Sequence, residues 1–334
     1  MAIDFVISWV DNEDPEWQAS FHQWLPATME GLDVSESRYR NWHLLRHWFR
    51  GVEQFAPWVR KIHFITNGQL PAWLNTTHPK LHLVKHSDIM PSDALPCFSS
   101  HPIELNMHRI EGLAEHFVYF NDDIFLTAPT VPSDFFHGDL PVDMAVTKPG
   151  DKSDELMNQI IYNNLRLINS CYHKWDVLLR HPHLWFHPAY GGFLKLTFKS
   201  LLGPAFESFL DTHMAQPYHL ATLQEVWKYF PHELNTTTHQ KFRSCKDVNQ
   251  WLFRYWRLVR GEFHPQNVYR YNAVFFSPQE QYQKLVSAVK SPSVKIVTLN
   301  DNDSIVGFES FLAKTRSLFS EILPQASSFE FPES

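Results

Sequence analysis

The sequence predicts an α/β fold, a sheet with crossover helices, and three observations carry that prediction. Short apolar runs rich in β-branched and aromatic residues recur between longer stretches of helical periodicity. Several of those runs end in polar loops, as strands do where a sheet meets its ligand. The composition suits a large packed core: 44% of the 334 residues are hydrophobic, 15% aromatic and 19% charged, which excludes disorder as the main state.

Strands are expected at 3–10, 61–66, 81–85, 117–120, 144–147 and 294–299, each a short run of the side chains that suit a pleated, buried surface. Helical periodicity marks 42–55, 103–116, 223–230 and 247–259. In the last of these, Trp251, Leu252, Tyr255, Leu258 and Val259 form one stripe and Arg254, Arg257 and Arg260 another, which predicts a basic outer face. The stretch 149–211 reads differently. It is helical and rich in Asn, His and Leu, and Pro182, Pro188 and the Gly191-Gly192 pair break it into pieces. The expectation is a helical cap inserted at 149–211 into a core made of 1–148 and 212–330, with no internal repeat and no Gly/Ser linker.

Lys and Arg number 29 against 36 Asp and Glu, a formal charge of −7, so no nucleic-acid partner is expected. Cys97, Cys171 and Cys245 are far apart and form no CxxC pair, as expected of reduced thiols in a cytoplasmic protein. Met1 leads straight into an apolar strand without a basic leader, and no window approaches the roughly 18 apolar residues of a membrane span. Membrane contact is therefore expected to be peripheral at most, at the inner face of the cytoplasmic membrane; the basic, Trp-rich helix from Asp247 reads either as a contact for anionic lipid or, more simply, as a buried helix with a solvated face.

Asn121-Asp122-Asp123 follows the run 117–120, which places two carboxylates at the carboxyl end of an expected strand. Adjacent acids repel unless a cation or hydrogen bonds hold them, and Mg²⁺ is commonly bound by one or two carboxylates plus a diphosphate. The same residue types also make ordinary turns. Asp11-Asn12-Glu13-Asp14-Pro15 and Asn67-Gly68-Gln69 follow two other strands. Gly68 would let a nucleotide approach the backbone, while Asn-Gly is equally a tight-turn pair. Basic residues cluster at Arg38, Arg40, Arg46 and Arg50 and again at Lys241, Arg243, Lys246, Arg254 and Arg257, as forks for a diphosphate or as solvated helix faces. The 20 histidines include no HExxH, and His181 and His183 lie in the proline-rich part of the cap, so most are expected at the surface or in the core.

Longer motifs resemble the Stealth family of sugar-phosphate transferases, which includes bacterial capsular and exopolysaccharide phosphotransferases and the catalytic part of N-acetylglucosamine-1-phosphotransferase. The similarity begins at Ile3-Asp4-Phe5-Val6-Ile7-Ser8-Trp9-Val10-Asp11. It resumes at Arg38 and runs through Ala56-Pro57-Trp58-Val59-Arg60, Ile65-Thr66-Asn67-Gly68-Gln69-Leu70-Pro71 and His86-Ser87-Asp88-Ile89 to Ser99-Ser100, Ile103-Glu104, His108-Arg109-Ile110 and Phe120-Asn121-Asp122-Asp123. A third region holds His213-Met214, Glu225-Val226-Trp227, Phe242-Arg243-Ser244 and Asp247-Val248-Asn249-Gln250-Trp251. A fourth is Leu299-Asn300-Asp301-Asn302-Asp303. Asn41-Trp42 stands where relatives usually carry Asp-Asn.

The resemblance implies a Rossmann-like core of the glycosyltransferase-A type. It also implies transfer of a sugar 1-phosphate from a UDP-sugar, such as UDP-N-acetylglucosamine or another UDP-hexose, to a hydroxyl of an oligosaccharide or lipid-linked glycan, with release of UMP. Asp122 and Asp123, with Asn300 and Asp301, would hold Mg²⁺ or Mn²⁺. Asp4, Asp11, Asn67, Gly68 and Gln69 would line the nucleotide pocket. His213 and Arg243 match the family's active-site pair, a base with a pKa near 7 and a fixed guanidinium facing the phosphate oxygens. Ser100, Glu104 and Arg109 would point to the same pocket. Glu104 is read either as a sugar contact or as the base itself, and Arg109 either as a donor contact or as the salt-bridge partner of Glu104 or Glu111. Two other functions fit the sequence: a metal-dependent glycosyltransferase that releases UDP, and a non-catalytic carbohydrate-binding protein with aromatic platforms.

Overall fold

The computed structural model describes residues 1–151, 153, 155–301 and 305–331. In chain order, β1 (Ile3–Ser8) is followed by α1 (Pro15–Trp24) and α2 (Leu45–Phe55), then by β2 (Ile62–Thr66) and β3 (Leu81–Lys85). The short helix α3 (Ser100–Leu105) leads to β4 (His116–Phe120) and β5 (Ile124–Leu126). After α4 (Leu156–Cys171) and several short helices come β6 (Gln216–His219), α5 (Leu220–Tyr229) and α6 (Trp251–Arg260). The chain closes with β7 (Asn272–Phe275), β8 (Ile296–Leu299) and α7 (Phe308–Ile322).

The central five-stranded sheet has the order β6-β4-β1-β2-β3. Its four inner and far strands run parallel, and β6 joins the edge antiparallel to β4. Helices cover both faces, so β1 is buried almost throughout and reads as a continuous apolar run. Alternate side chains divide between two cores. Ile3, Phe5, Ile7, Val118 and Phe120 face the core under α2 and α7, and Val6, Phe117 and Tyr119 face the core under α5 and α6. Leu45, Trp48, Phe49, Val52 and Phe55 set the α2 stripe at helical spacing. Each such buried ring or branched chain contributes about 1.5–3 kcal/mol relative to exposure. A second, three-stranded sheet, β7-β8-β5, grows from the end of β4 and brings β8 alongside the loop at 121–123.

Three expectations need correction. The helix at 103–116 stops at Leu105, because Asn106 turns its amide onto Pro102 O (2.8 Å) and Thr238 Oγ1 (2.9 Å), and only a 3₁₀ turn, Met107–Arg109, follows. Of the strand expected at 144–147, residues 144–146 are a buried loop after the strand Leu140–Asp143, and only Thr147 is paired, opening the short strand Thr147–Lys148 against Ser208–Phe209.

The basic outer face of α6 is the third. Arg254 and Arg257 are wholly buried: Arg254 forks onto Asp143 (2.9 and 3.0 Å) and reaches Asp211 (3.2 Å), and Arg257 also binds Asp143. Helical spacing shows which residues share a face, but a buried acid from another element decides whether that face meets water. Only Arg260 of the three keeps partial exposure, in a pair with Glu225 and Glu262. Arg254 and Arg257 therefore offer no charge to a lipid surface. Among the described residues no helix is long and apolar enough to cross a membrane.

Candidate active site

At the carboxyl end of β1 and β4 lies a cavity of about 590 Å³ with both acidic and basic walls. Asn121-Asp122-Asp123 forms its floor, in the turn between β4 and β5. Pairing of β5 with β8, closed by Leu299 N donating to Asp123 O (2.9 Å), carries Asn300 and Asp301 to the same wall. The antiparallel return of β6 beside β4 sets His213, just ahead of β6, over Asp123. Its Nε2 lies 3.0 Å from Asp123 Oδ2.

His213 adopts φ +45°, a conformation that non-glycine residues avoid, and its carbonyl accepts from Thr298 Oγ1 (2.9 Å). Behind it, Asp211 accepts from Tyr255 Oη (2.7 and 2.9 Å) and from Arg254. The histidine is thus held from both sides in a strained backbone.

Opposite these acids stands Arg243. Its strand, Arg243–Ser244, pairs with Leu32–Asp33, and Asp247 Oδ2 accepts from Ser244 N (2.9 Å) while facing His101 Nδ1 (3.0 Å). Arg243 reaches Ser100 Oγ at 3.4 Å. Glu104, from α3, is buried beside them, and Tyr119 Oη donates to its Oε1 (3.4 Å) while contacting Ser8 Oγ (2.9 Å). Arg38 pairs with Asp33 (2.6 Å), and Arg40 (3.1 Å) and Trp42 Nε1 (3.1 Å) both donate to the Asp301 carboxylate.

The electrostatics follow from this crowding. Burial pushes the Glu104 carboxyl up, with Arg243 pulling it partly back. The Asp122 carboxyl is raised by desolvation against the cavity walls and then by Asp123 and Asp301. Burial would lower the His213 imidazolium, yet the charge and hydrogen bond of Asp123 outweigh it and leave the ring above its ordinary 6.5. Three acceptors on the cavity wall, Glu104 Oε2, Asn121 Oδ1 and Asp123 Oδ1, are buried without any hydrogen-bond partner among the described residues.

Carboxylate and amide oxygens left without partners beside a raised carboxyl fit a hard, oxygen-loving divalent cation. Asp122, Asp123 and Asn300 line the cavity and could hold such an ion, while Asp301 is already bonded by Arg40 and Trp42.

Eight residues expected from the sequence therefore share one cavity: Ser100, Glu104, Asp122, Asp123, His213, Arg243, Asn300 and Asp301. Asn302 and Asp303 of the same motif lie outside the described residues. Six others do not line it. Asp4 shares a strand face with Ser8 but sits four residues back, about 13 Å along β1. There it is buried in an ion pair with Arg60, bonds His63 (2.9 Å) and accepts from Ala114 N (2.8 Å). Arg109 is exposed at the other end of its turn and lies over the Trp227 ring at 5.2 Å.

Asn67, Gly68 and Gln69 form a turn that ties down the neighbouring loop: Gln69 bonds Asp11 O (2.8 Å), Asp11 N (3.0 Å) and Asp14 Oδ2 (2.8 Å). Asp11 faces a separate cavity of about 490 Å³ with Trp9, Arg46 and Trp73. Self-satisfied turn residues have few groups left for a nucleotide.

Residues 38–142 match Stealth protein CR2, conserved region 2, and residues 212–256 match Stealth protein CR3, conserved region 3. A capsular polysaccharide phosphotransferase, WcwK, of Streptococcus pneumoniae is 35% identical over 330 residues, covering 98% of both chains. An exopolysaccharide phosphotransferase, cps2G, of Lactiplantibacillus plantarum is 36% identical over 333 residues, covering 98% of this chain and 96% of that one. The chain belongs to the Stealth family. A solved structure of an active-site mutant of LgtC has 10% sequence identity and a TM-score of 0.40, covering 93% of this chain and 95% of that one.

The two matched Stealth regions meet at the cavity, the first supplying Arg38, Ser100, Glu104, Asp122 and Asp123 and the second His213 and Arg243. Among wall residues that sequence reasoning passed over, Tyr119 and Ser8 carried only the signal of an apolar strand. Trp42 carried one that could have been used: an indole standing where relatives usually have a polar pair, now seen as a donor to Asp301. The buried support of Asp211 gave none, because its partners lie more than 40 residues away, and Asp247, though it opens a motif of the third region, gave no sign of its bond to His101.

Proposed function

We propose that this Stealth protein moves a sugar 1-phosphate from a UDP-linked sugar to a hydroxyl of an acceptor glycan, releasing UMP, in assembly of a capsular or extracellular polysaccharide. The observation that carries the reading is the meeting, in one cavity, of His213 bonded to Asp123, the guanidinium of Arg243, and oxygen ligands that lack partners. Its relatives are named as phosphotransferases of such polysaccharides.

A divalent cation, Mg²⁺ or Mn²⁺, would supply charge neutralisation across the donor diphosphate. The chain's own residues do the rest. With Nε2–H donated to Asp123, the His213 ring carries its lone pair on Nδ1, where it can take the proton of the acceptor hydroxyl. The hydroxyl oxygen attacks the β-phosphorus, a new O–P bond forms, and the P–O bond to the nucleotide breaks with its electron pair leaving on UMP. Arg243 faces the negative charge on the transferred phosphoryl oxygens, and its position is set by Asp247 and by the strand shared with Asp33. Arg38, paired with Asp33, and Arg40, paired with Asp301, line the same cavity. Glu104, raised by burial, orients a sugar hydroxyl or the Arg243 fork.

The experiment that tests the reading separates nucleotide products after incubation with a UDP-sugar, Mg²⁺ and a capsular acceptor. Acceptor-dependent UMP is the expected result. UDP in its place would mean attack at the anomeric carbon and would overturn the phosphotransferase assignment.

A further inference from the structure

β4 and β6 end twice in titratable residues. At one end they present Asp123 and His213; at the other, the first residue of β4 and the last of β6 are His116 and His219, which are register partners in the antiparallel ladder. Five residues of strand, roughly 17 Å, separate the two ends. Directly opposed side chains on an antiparallel pair lie on the same face, close enough to share a ligand.

A third group joins them. The hairpin strands Phe136–His137 and Leu140–Asp143 are linked by the two-residue loop Gly138-Asp139, with Gly138 at φ +59° turning the chain back so that Asp139 meets both histidines. His116 Nε2 lies 2.6 Å from Asp139 Oδ1, and His219 Nε2 lies 2.7 Å from Asp139 O. One ligand atom from each of the three side chains falls within 4.8 Å of the others. Phe136 fixes both rings, edge-on to His116 at 5.0 Å and stacked on His219 at 5.9 Å.

We infer that His116, Asp139 and His219 form a second metal site, for a zinc-class divalent ion, that staples the edge strand β6 to β4 and to the hairpin. Ligand atoms around one tetrahedral ion, at about 2.0–2.2 Å each, stand roughly 3.4 Å apart, so the existing separations close by side-chain rotation. Two imidazoles and one carboxylate suit Zn²⁺, Co²⁺ or Ni²⁺, whereas the oxygen-lined cavity at the other end suits Mg²⁺. Three protein ligands leave the fourth position to water. The site faces away from the transfer cavity, so its effect is on the hold of β6, the strand that His213 leads into.

The test is equilibrium dialysis of the full chain against Zn²⁺ after chelator treatment, with excess Mg²⁺ present throughout. Wild type is expected to retain one Zn²⁺ per chain. His116→Gln and His219→Gln should lose it, and Asp139→Ala should weaken it by about tenfold or more. Asp139 lies on an exposed loop, so its replacement leaves folding intact and keeps the test decisive. Asp123→Ala should retain the ion. Equal Zn²⁺ binding by wild type and Asp139→Ala, no binding by wild type, or loss confined to Asp123→Ala would each overturn the site. None of these readouts uses transfer activity, so the outcome is independent of the reaction proposed above.

Discussion

The two ends of the β4–β6 pair share one hydrogen-bonded ladder and are built in opposite ways. At the amino end of β4, register alone sets His116 against His219, and one hairpin loop adds Asp139. At the carboxyl end, distant segments converge: the 38–42 stretch, α3, the turn at 121–123, the loop before β6, the Arg243 strand and the end of β8. The first arrangement satisfies its polar groups with one another. The second leaves Glu104 Oε2, Asn121 Oδ1 and Asp123 Oδ1 buried without partners and holds His213 at φ +45°. An unmet buried acceptor costs about 1–3 kcal/mol, and strained backbone a similar amount, so that end is stable only because the surrounding structure over-determines it. A divalent ion at the first end would replace hydrogen bonds already made there, whereas at the second it would meet acceptors that have none.

The sharpest way to break the comparison is to disable each end in turn. Asp123→Ala, His213→Ala and Arg243→Ala should each lower transfer by about a thousandfold or more while leaving the thermal unfolding curve in place. His116→Gln, at the far end of β4 from the turn that carries Asp123, should keep transfer within about threefold. Nucleotide release measured for all four decides the matter, and a His116 variant as inactive as the His213 variant would show that the two ends act as one unit.

The buried network between α6 and the hairpin carries the next largest effect. Asp143→Asn leaves Arg254 and Arg257 charged and wholly buried without their shared carboxylate, and about 3–5 kcal/mol of stability should be lost. Urea unfolding at pH 7 measures it. A loss below about 1 kcal/mol would mean that the two guanidinium groups are hydrated and that the network does not hold the Asp211 side of the His213 loop.

How much of this was legible in the sequence depended on how local each cause was. β1, β2 and β4 announced themselves because burial on both faces makes a strand a nearly continuous apolar run, and β3, at the sheet edge, by alternating Leu81 and Leu83 with polar His82. β6, which carries polar and apolar residues in only four positions, did not, although it sets both ends of the comparison. The acids at 122–123 stand out by their place after an apolar run, whereas Asp301 and the His213–Arg243 pair are legible only through motif resemblance. Asp4 was placed in the nucleotide pocket because it stands in the first motif, yet strand geometry carries it to the wrong end of β1. The His116–Asp139–His219 cluster had no sequence signal at all, since its members are 23 and 80 residues apart and only the ladder brings them together.

Acid sensitivity should come from the buried histidines rather than from either cluster. Burial lowers His86 from 6.5 to about 4. Between those values the unfolded chain takes up a proton that the folded chain refuses, so stability is full above pH 6.5 and falls as pH drops towards 4. The loss from this one group is on the order of 3 kcal/mol. His86→Gln should flatten that part of the profile of unfolding free energy against pH, and an unchanged slope would assign the sensitivity elsewhere.

The smallest expected effect is the most informative about the carboxyl end. Thr298 sits on β8, opposite Ile124 of β5, and its hydroxyl donates to the carbonyl of the strained His213. Thr298→Val keeps the shape and removes the donor, so about 1 kcal/mol of stability should be lost. If that hydrogen bond only supports the fold, kcat and KM will barely move. If it holds His213 at the angle that aims Nδ1 into the cavity, kcat should fall by about tenfold with KM unchanged, because orientation and not donor binding is what has been lost. Thr298→Ser, which restores the hydroxyl, should recover most of the rate. Full activity in the valine variant would show that Asp123 and the Asp211 side of the loop suffice, and that the strain at His213 is borne by the ladder common to both ends.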